Sequence, residues 1–371
     1  MKTVVVTMDK FKGSATAAQV CSSVSEGIDE TTTGVRCVCV PLADGGDGTV
    51  AALSRAGWEP VSVPGIDAQG VPVIAEAARR GDTVVVELAD ICGIARWRGE
   101  LDPWHAHTMG VGHAIRALID GRVRRIVVAA GGSASTDGGL GLLMGLGFRV
   151  TDDHGVEVEP GLAGLRAATR IESPADMETL RSREWSVLVD VESPLCGPHG
   201  AARRFGPQKG LSDRDAVIAD ELLANWESVL ARTSGRGIGE VGSIPGTGAA
   251  GGIATPLVAL LDASIESGFD FIATQFDLKK HLASADFVVT GEGRVDASSL
   301  TGKVVGKVLS MASQTKVPVA VVAGSIAADV RASLPPTVMS LTELAGDTAR
   351  ALADPSRYLR VAGRSIGAWL A

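Results

Sequence analysis

The sequence predicts an α/β fold built around a mainly parallel sheet. Short apolar runs rich in Val and Ile alternate with longer segments of helical period, the order expected when helices connect parallel strands. The apolar runs are continuous rather than alternating, which favours strands that are covered on both faces. At 371 residues the chain exceeds the size at which one core usually suffices, so two domains are expected.

The predicted strands share a high content of β-branched residues. They are Thr3–Thr7, Val35–Pro41, Thr83–Leu88, Arg125–Ala129, Trp185–Val189, Asp286–Thr290 and Val317–Ala323. The predicted helices carry apolar residues three and four positions apart. They span Ser14–Ile28, Gly110–Ile119, Asp213–Leu230 and Leu300–Ser313. Aromatic residues make up only 4% of the chain, so Val, Ala, Leu and Ile must form most of the core.

Composition limits the ligands and the location of the protein. The formal net charge of -8 argues against nucleic acid, which requires a basic surface. It is compatible with a phosphate ligand, because Mg²⁺ can bridge acidic side chains and phosphate oxygens. The five cysteines lack C-x-x-C spacing, so reduced thiols are expected. No signal-peptide pattern and no stretch of the roughly 18 apolar residues of a membrane helix is present, which predicts a cytoplasmic protein without membrane contacts.

Polar turns follow the first two predicted strands. In Asp9–Ser14, Lys12 can meet a phosphate or carboxylate near the start of the next helix, and Ser14 can cap that helix. A solvated lysine on an ordinary turn is the alternative. In Ala43–Thr49, glycines let the backbone approach a ligand, and Asp44 can hold Mg²⁺ or accept a hydroxyl proton. The alternative is a tight turn in which Asp caps a helix.

The run Gly131–Gly139 is the most informative segment. Its four glycines and three hydroxyl side chains in nine residues exceed what an ordinary loop needs. Successive small residues expose backbone N–H groups as a nest for anions, and Asp137 adds a charge. The run Gly246–Gly251 contains G-x-G-x-x-G but follows Pro245 rather than a strand, so it lacks the context of a dinucleotide site. The sequence also lacks the Walker A pattern.

Further polar segments lie in the second half of the chain. Asp190 ends a strand, and Phe205–Gly210 presents Lys209 on a turn, where a solvated lysine is the alternative. Gly291–Asp296 places two acids and an arginine after a strand, and Thr301–Lys303 opens the next helix. Arginine suits bidentate contact with carboxylate or phosphate, although a structural Arg–Asp pair is the alternative. Because ligands of open α/β sheets bind at the carboxyl ends of strands, these turns should converge on one cleft.

Together these segments resemble the bacterial glycerate kinase family. The resemblance extends from the first strand to beyond Lys303 and rests on ordered motifs. They are Asp9–Lys12, Ala43–Thr49, Gly131–Gly139, Asp190–Leu195, Phe205–Gly210, Gly248–Gly252 and Thr290–Asp296. The resemblance implies an ATP-dependent, Mg²⁺-dependent kinase that phosphorylates D-glycerate, with 2-phosphoglycerate favoured over 3-phosphoglycerate as the product.

The resemblance also implies how the domains are arranged. A Rossmann-like domain would be formed by both chain ends, residues 1–64 and 282–371, with a second α/β domain, residues 65–281, inserted between them. The active site would lie in the cleft between these domains. The expected partners are the small molecules ATP and D-glycerate, with neither nucleic acid nor membrane, and a homodimer is left open.

The roles of individual residues are hypotheses based on phosphoryl transfer, which depends mainly on positioning and charge neutralisation. The catalytic candidates are Asp44, Lys12, Asp190, Lys209 and Asp296. The candidates for binding ATP phosphates are Gly131, Gly132, Ser133, Ser135, Asp137 and Gly138, and those for Mg²⁺ are Asp137 and Asp190. The candidates for binding glycerate are Asp9, Gly45, Gly46, Glu292 and Arg294.

Within this set, Asp44 is the preferred base, with Asp296 as its rival. Lys12 and Lys209 would neutralise the charge on the transferred phosphoryl group, and Arg294 would hold the carboxylate of glycerate.

Two positions depart from the family pattern. His113 stands where an acid is expected, and Ser298 stands where Gln is expected. Substrate preference would differ if either position contacts the acceptor.

Three other functions compete with this interpretation. A kinase of a related small hydroxy acid would need the same phosphate-binding turns. A nicotinamide-dependent hydroxy-acid dehydrogenase would need the dinucleotide fingerprint directly after a strand, and the sequence lacks it. A non-catalytic metabolite-binding protein would keep the fold without the chemistry.

Overall fold

A computed structural model describes residues 1–300 and 302–371. Thr301, which the sequence places at the start of a helix, lies outside the described residues. The strands are short. In chain order they are β1 (Lys2–Met8), β2 (Val35–Cys39), β3 (Glu59–Ile66), β4 (Pro72–Arg80), β5 (Thr83–Glu87), β6 (Arg125–Ala129), β7 (Arg149–Thr151), β8 (Arg170–Glu172), β9 (Glu184–Val189), β10 (Ser264–Ser267), β11 (Phe287–Gly291), β12 (Arg294–Val295), β13 (Val319–Ala323), β14 (Ser325–Ile326) and β15 (Thr337–Ser340).

Helices connect most of these strands. In chain order they are α1 (Ala17–Asp29), α2 (Thr49–Arg55), α3 (Leu88–Cys92), α4 (Met109–Leu118), α5 (Leu140–Gly145), α6 (Met177–Arg181), α7 (Ala201–Phe205), α8 (Asp213–Ser234), α9 (Ala254–Leu261), α10 (Gly268–Gln275), α11 (Leu278–Ala283), α12 (Ala297–Leu300), α13 (Val304–Thr315), α14 (Leu341–Ala345), α15 (Thr348–Ala353) and α16 (Pro355–Leu370). Each predicted strand and helix corresponds to one of these elements, so the α/β class is confirmed. Across the two described ranges, no helix combines the length and apolar character needed to cross a bilayer.

The prediction that Ser14 caps the first helix is wrong. Thr16 caps it, because its Oγ1 accepts a hydrogen bond from the backbone N–H of Gln19 at 3.3 Å. The Gln19 side chain accepts in return from the backbone N–H of Thr16 at 2.9 Å, which completes a capping box. Ser14 donates instead to the carbonyl of Phe11, since a tight turn precedes the helix.

The chain divides into two compact units. Unit 1 contains Met1–Asp44, Ala51–Ala56 and Phe269–Ala371, and unit 2 contains Gly45–Val50 and Gly57–Gly268. The domain boundaries that the resemblance implies, after residues 64 and 281, stay a prediction.

Unit 1 is built on a five-stranded parallel sheet with the order β15-β13-β11-β1-β2. The interior strand β1 contributes fully buried valines, such as Val4 and Val6, as expected from its continuous apolar run. In the register between β1 and β11, Met8 lies beside Gly291. The polar segments that follow these two strands therefore leave the sheet side by side.

Unit 2 is built on a six-stranded sheet with the order β10-β9-β6-β5-β4-β3. The strands from β10 to β5 are parallel, and the hairpin β3–β4 adds two antiparallel strands. Glu87, Ala129 and Leu188 are neighbours across β5, β6 and β9. The segments that follow these three strands consequently lie at one edge of the sheet.

Candidate active site

The segment Gly131–Gly139 connects β6 to α5 at the carboxyl edge of the unit 2 sheet. Gly132, Gly138 and Gly139 have φ values of 67°, 59° and 73°, which residues with a side chain rarely adopt. The residues from Ser133 to Asp137 are at most 4% exposed. The predicted anion-binding turn is therefore a compact loop with most of its side chains turned into unit 2.

Two hydroxyl groups of this loop have unused hydrogen-bonding capacity. In the described part of the chain, Ser135 Oγ and Thr136 Oγ1 are buried without a hydrogen-bond partner. Buried hydroxyl groups normally have a partner, so these two atoms are exceptions that a polar ligand or water would satisfy.

Asp137 holds this loop in place. Its Oδ2 accepts hydrogen bonds from the backbone N–H and the Oγ1 of Thr108, at 2.9 and 2.7 Å, and from the N–H of Gly141 at 3.2 Å. Its Oδ1 accepts a weaker bond from the N–H of Gly139 at 3.3 Å. A buried carboxylate with these donors is stabilised as an acceptor within the fold. The predicted Mg²⁺-ligand role of Asp137 would require at least one of these bonds to give way.

Lys209 places an ammonium group against the same loop. Its side chain is buried, and Nζ donates to Ser133 Oγ at 2.6 Å and to the carbonyl of Ser135 at 2.5 Å. Burial lowers the pKa of Lys209 to about 7, although the negative charge of Asp137 acts in the opposite direction. Lys209 is thus a buried residue bonded to this loop, and the alternative of a solvated turn lysine is wrong.

A second predicted segment, the turn after the second strand, packs against this loop at Gly131. A Cβ atom added to Gly131 would lie 2.4 Å from the Cα atom of Gly46, so only glycine permits this backbone approach. Gly46 belongs to Gly45–Val50, which opens helix α2. The predicted turns after the second strand and after β6 therefore meet within unit 2.

Two more of the predicted segments join them through close backbone contacts. Gly138 donates its N–H to the carbonyl of Gly251 at 2.9 Å, and a Cβ on Gly251 would lie 2.3 Å from the carbonyl oxygen of Ser135. A Cβ on Gly248 would lie 2.0 Å from the carbonyl oxygen of Pro194. The Gly248–Gly252 run thus packs onto Gly131–Gly139 at one end and onto the segment after β9 at the other, as the convergence argument predicted for these turns.

Asp190 directly follows β9 and is half-buried. Its Oδ1 accepts a hydrogen bond from the Oγ of Ser267, in the neighbouring strand β10, at 3.1 Å. Residues 1–300 and 302–371 contain no group of three or more His, Cys, Asp or Glu side chains arranged to hold a metal ion. Mg²⁺ in nucleotide sites is commonly held by one or two carboxylates together with phosphate oxygens, so Asp190 fits such an ion as a single protein ligand.

An acidic cluster of Asp9, Asp44 and Glu292 lies at the carboxyl edge of the unit 1 sheet. Asp9 and Glu292 are 7% and 8% exposed, whereas Asp44 is half-buried. Lys10 approaches two members of the cluster, with Nζ 3.8 Å from Asp9 Oδ1 and 3.9 Å from Asp44 Oδ1. Among the residues that the structure describes, Glu292 Oε1 is buried without a hydrogen-bond partner.

Burial raises the proton affinity of two members of this acidic cluster, Asp9 and Glu292. Burial raises the pKa of Asp9 to about 7 against the opposing charge of Lys10, and Asp44 and Glu292 raise it further. Burial likewise raises the pKa of Glu292. The Asp9 carboxyl group can therefore hold or release a proton near neutral pH, as a group that accepts a hydroxyl proton must.

Asp296, Arg294 and Lys12 occupy more exposed positions. Asp296 Oδ1 accepts from the Oγ and N–H of Ser298, at 2.6 and 2.9 Å, and the hydroxyl bond is the main reason why the pKa of Asp296 is lowered. The side chain of Arg294 is 73% exposed, with Nε 4.0 Å from Asp296 Oδ2. Lys12 is also exposed, although its backbone N would lie 3.2 Å from a Cβ on Gly293. The serine that departs from the family pattern thus bonds to a predicted catalytic acid.

Sequence reasoning missed Lys10 and Thr108. Lys10 follows Asp9 directly in a segment with two lysines, and sequence gives no reason to prefer the one that approaches the carboxylates. Thr108 lies outside every glycine-rich run, so only its bonds to Asp137 identify it. His113, the other departure, is exposed on α4.

Comparison with known proteins places these motifs in one family. The model of the glycerate kinase family matches residues 4–371. A glycerate kinase of Halalkalibacterium halodurans is 33% identical over 357 residues, which cover 92% of this chain and 93% of that protein. The Escherichia coli K12 glycerate 2-kinase is 33% identical over 335 residues, covering 88% of this chain and 86% of that protein.

The chain belongs to the glycerate kinase family. A crystal structure from Salmonella typhimurium LT2, with the provisional name glycerate kinase 2, agrees with this assignment. It is 31% identical to this chain and superposes with a TM-score of 0.81. The match covers 100% of this chain and 98% of the Salmonella chain. The matched residues of this glycerate kinase family member include all of unit 2 and all of unit 1 except its first three residues, so the resemblance drawn from the motifs is confirmed.

Proposed function

We propose that this protein is a glycerate kinase that transfers the terminal phosphate of ATP to D-glycerate and forms 2-phosphoglycerate. Membership of a family of phosphotransferases with an alcohol acceptor supports the reaction type. The name glycerate 2-kinase of the E. coli relative supports the 2-position. The observation that carries the proposal is the packing of separate glycine-rich segments onto Gly131–Gly139, beside the buried ammonium of Lys209.

In this proposal Gly131–Gly139 binds the phosphates of ATP. Its glycines free backbone N–H groups, and Ser135 and Thr136 offer hydroxyls whose hydrogen-bonding capacity is unused within the protein. Lys209 holds Ser133 and supplies positive charge in its protonated form. Mg²⁺ would be held by Asp190 and, when bound, would neutralise phosphate charge. Asp137 is assigned to holding the loop, because its oxygens are already hydrogen-bonded.

The acidic cluster of Asp9, Asp44 and Glu292 is proposed to receive the hydroxyl of glycerate. Asp44 is half-buried and acts as the base, and the elevated pKa of Asp9 lets that neighbour share or accept the proton near pH 7. Arg294 keeps its proposed role with the glycerate carboxylate, because its guanidinium is exposed and retains donors. The lowered pKa of Asp296 makes it the poorer proton acceptor.

A coupled assay of ADP release with ATP, Mg²⁺ and D-glycerate tests the reaction. Glycerate-dependent ADP formation is expected, and ³¹P NMR of the product should show the 2-phosphate. ADP release with another hydroxy acid but not with D-glycerate would identify a different acceptor. If no hydroxy acid stimulates ADP release while ATP or glycerate still binds, the protein is a metabolite-binding protein and the proposal is wrong.

We also propose a cytoplasmic location, where ATP is available. All five cysteines lie in described residues and are free thiols, and reduced thiols are typical of that compartment. A homodimer stays open, and size-exclusion chromatography with light scattering would decide it.

A further inference from the structure

Glu87 is a buried acid outside all of the glycine-rich motifs. It ends β5 and is 4% exposed. Its Oε1 accepts a hydrogen bond from the N–H of Gly48 and its Oε2 accepts one from the N–H of Val50, both at 2.9 Å. Both donors belong to the Gly45–Val50 segment at the start of α2, where backbone N–H groups lack partners within the helix. One side chain therefore satisfies two of these groups.

The bonds to Glu87 complete a small framework around the same segment. Thr49 Oγ1 donates to the carbonyl of Gly46 at 2.7 Å, which closes the turn from within. Gly131 packs against Gly46 from the neighbouring loop. Because Glu87 pairs with Ala129 in the sheet, its side chain leaves at the edge from which Gly131–Gly139 also starts. The segment is thus fixed by its own turn, by the loop and by Glu87.

The chemistry of a carboxylate suits this position better than that of any neutral side chain. Each of its oxygens is an acceptor, so both N–H groups are satisfied at once, and an ionised acceptor makes the stronger bonds. Glutamine has nearly the same shape, but one end is an NH₂ group that would face an N–H donor. Burial raises the pKa of Glu87 to about 7, with Asp47 and Asp90 adding to the effect, while the bonds from Val50 and Gly48 oppose it.

We propose that Glu87 is a positioning residue that holds Gly45–Val50 in the shape needed to bind the phosphate acceptor, an inference that rests on the proposed function. Glu87 does not contact the substrate in this account. It acts through the backbone of Gly48 and Val50, and through them on Gly45 and Gly46 at the other end of the turn.

The test uses the full chain with Glu87→Gln and Glu87→Asp. The matched control is Glu59→Gln, the same change at an exposed position of β3 in unit 2. The first readout is amide hydrogen exchange at Gly48 and Val50, measured without any substrate. We expect exchange of at least one of these two amides to accelerate roughly tenfold in Glu87→Gln, since one buried N–H group loses its acceptor. The N–H of Leu142, which donates to Thr108 Oγ1, should stay unchanged.

The second readout is steady-state kinetics with D-glycerate and ATP. We expect KM for D-glycerate to rise roughly tenfold in Glu87→Gln, with a smaller change in kcat and in KM for ATP. Glu87→Asp should recover part of the loss, because it keeps both acceptor oxygens on a shorter stem. If Glu87 only stabilised the fold, Glu87→Gln would lower thermal stability without raising KM for D-glycerate more than KM for ATP.

The outcomes separate this inference from the proposed function. Unchanged exchange at Gly48 and Val50 in Glu87→Gln would show that the two bonds do not hold the segment and would overturn the inference. Faster exchange with an unchanged KM for D-glycerate would overturn the positioning role alone. A wild-type protein without glycerate-dependent ADP release would overturn the proposed function, whereas the exchange measurement would still test whether Glu87 fixes the segment.

Discussion

Replacing Lys209 with Met should change how the stability of the protein depends on pH. Burial lowers the pKa of this lysine from 10.5 to about 7, so between these pH values the unfolded chain binds one proton that the folded protein does not. The free energy of unfolding of the wild type should therefore rise with pH, relative to Lys209→Met, by at most about 1.4 kcal/mol per pH unit. From pH 7.5 to pH 9.5, the free energy of unfolding of the wild type minus that of Lys209→Met should increase by about 2 kcal/mol.

Urea unfolding followed by tryptophan fluorescence measures this difference. The signal reports mainly on unit 2, because only Trp369 of the six tryptophans lies in unit 1. Trp226 is a direct reporter of the loop, since its Nε1 donates to the carbonyl of Gly138 at 2.9 Å. Lys12→Met removes an exposed lysine and controls for the loss of one positive charge. A difference between wild type and Lys209→Met that stays constant from pH 7.5 to 9.5 would refute the reasoning.

Four further predictions follow from the same geometry. Asp44→Asn should lower kcat at least about a hundredfold if Asp44 is the base, and near-normal turnover would remove it from that role. Because burial raises the pKa of Asp9 to about 7, kcat/KM of the wild type should fall as the pH drops below 7, and Asp9→Asn should abolish that acidic limb in a pH–rate profile. Asp137→Ala should lower the free energy of unfolding by about 3 kcal/mol in urea titrations, since four hydrogen bonds lose their acceptor. A loss below about 1 kcal/mol, the size expected of an ordinary surface substitution, would contradict the role of Asp137 in holding the loop. Gly131→Ala should lower the thermal midpoint, because the new Cβ would lie 2.4 Å from backbone, whereas Gly121→Ala, with no atom within 4 Å, should leave it nearly unchanged.

The predicted strands were found because their signal is local. Buried parallel strands such as β1, β6 and β9 are covered on both faces, so most of their interior residues are apolar and the run stands out in the sequence. The hairpin β3–β4 was not predicted. Most of its residues are exposed or half-buried, and Pro60 and Pro64 interrupt the first strand, so it carries no continuous apolar run.

The convergence of the glycine-rich turns in unit 2 was also predictable in outline. The carboxyl ends of parallel strands meet at one edge, so a turn after β6 and a turn after β9 must be neighbours once the sheet forms. Sequence could not show which atoms face which. That Lys209 is buried and bonded to Ser133 depends on a contact across 76 positions of the chain.

By itself, the sequence determined the α/β class, the family and the segments from which the candidate site is built, because apolar periodicity and ordered motifs are written along the chain. Only the tertiary structure decided the state of the individual side chains. Asp137 accepts hydrogen bonds from Thr108, 29 positions away along the chain. Glu87 accepts hydrogen bonds from the backbone N–H groups of Val50 and Gly48, which lie 37 and 39 positions away. The burial of a charged group and the number of its hydrogen bonds depend on which distant residues come together. Burial and hydrogen bonding in turn determine whether a carboxylate or an ammonium group stabilises the fold or can take part in catalysis.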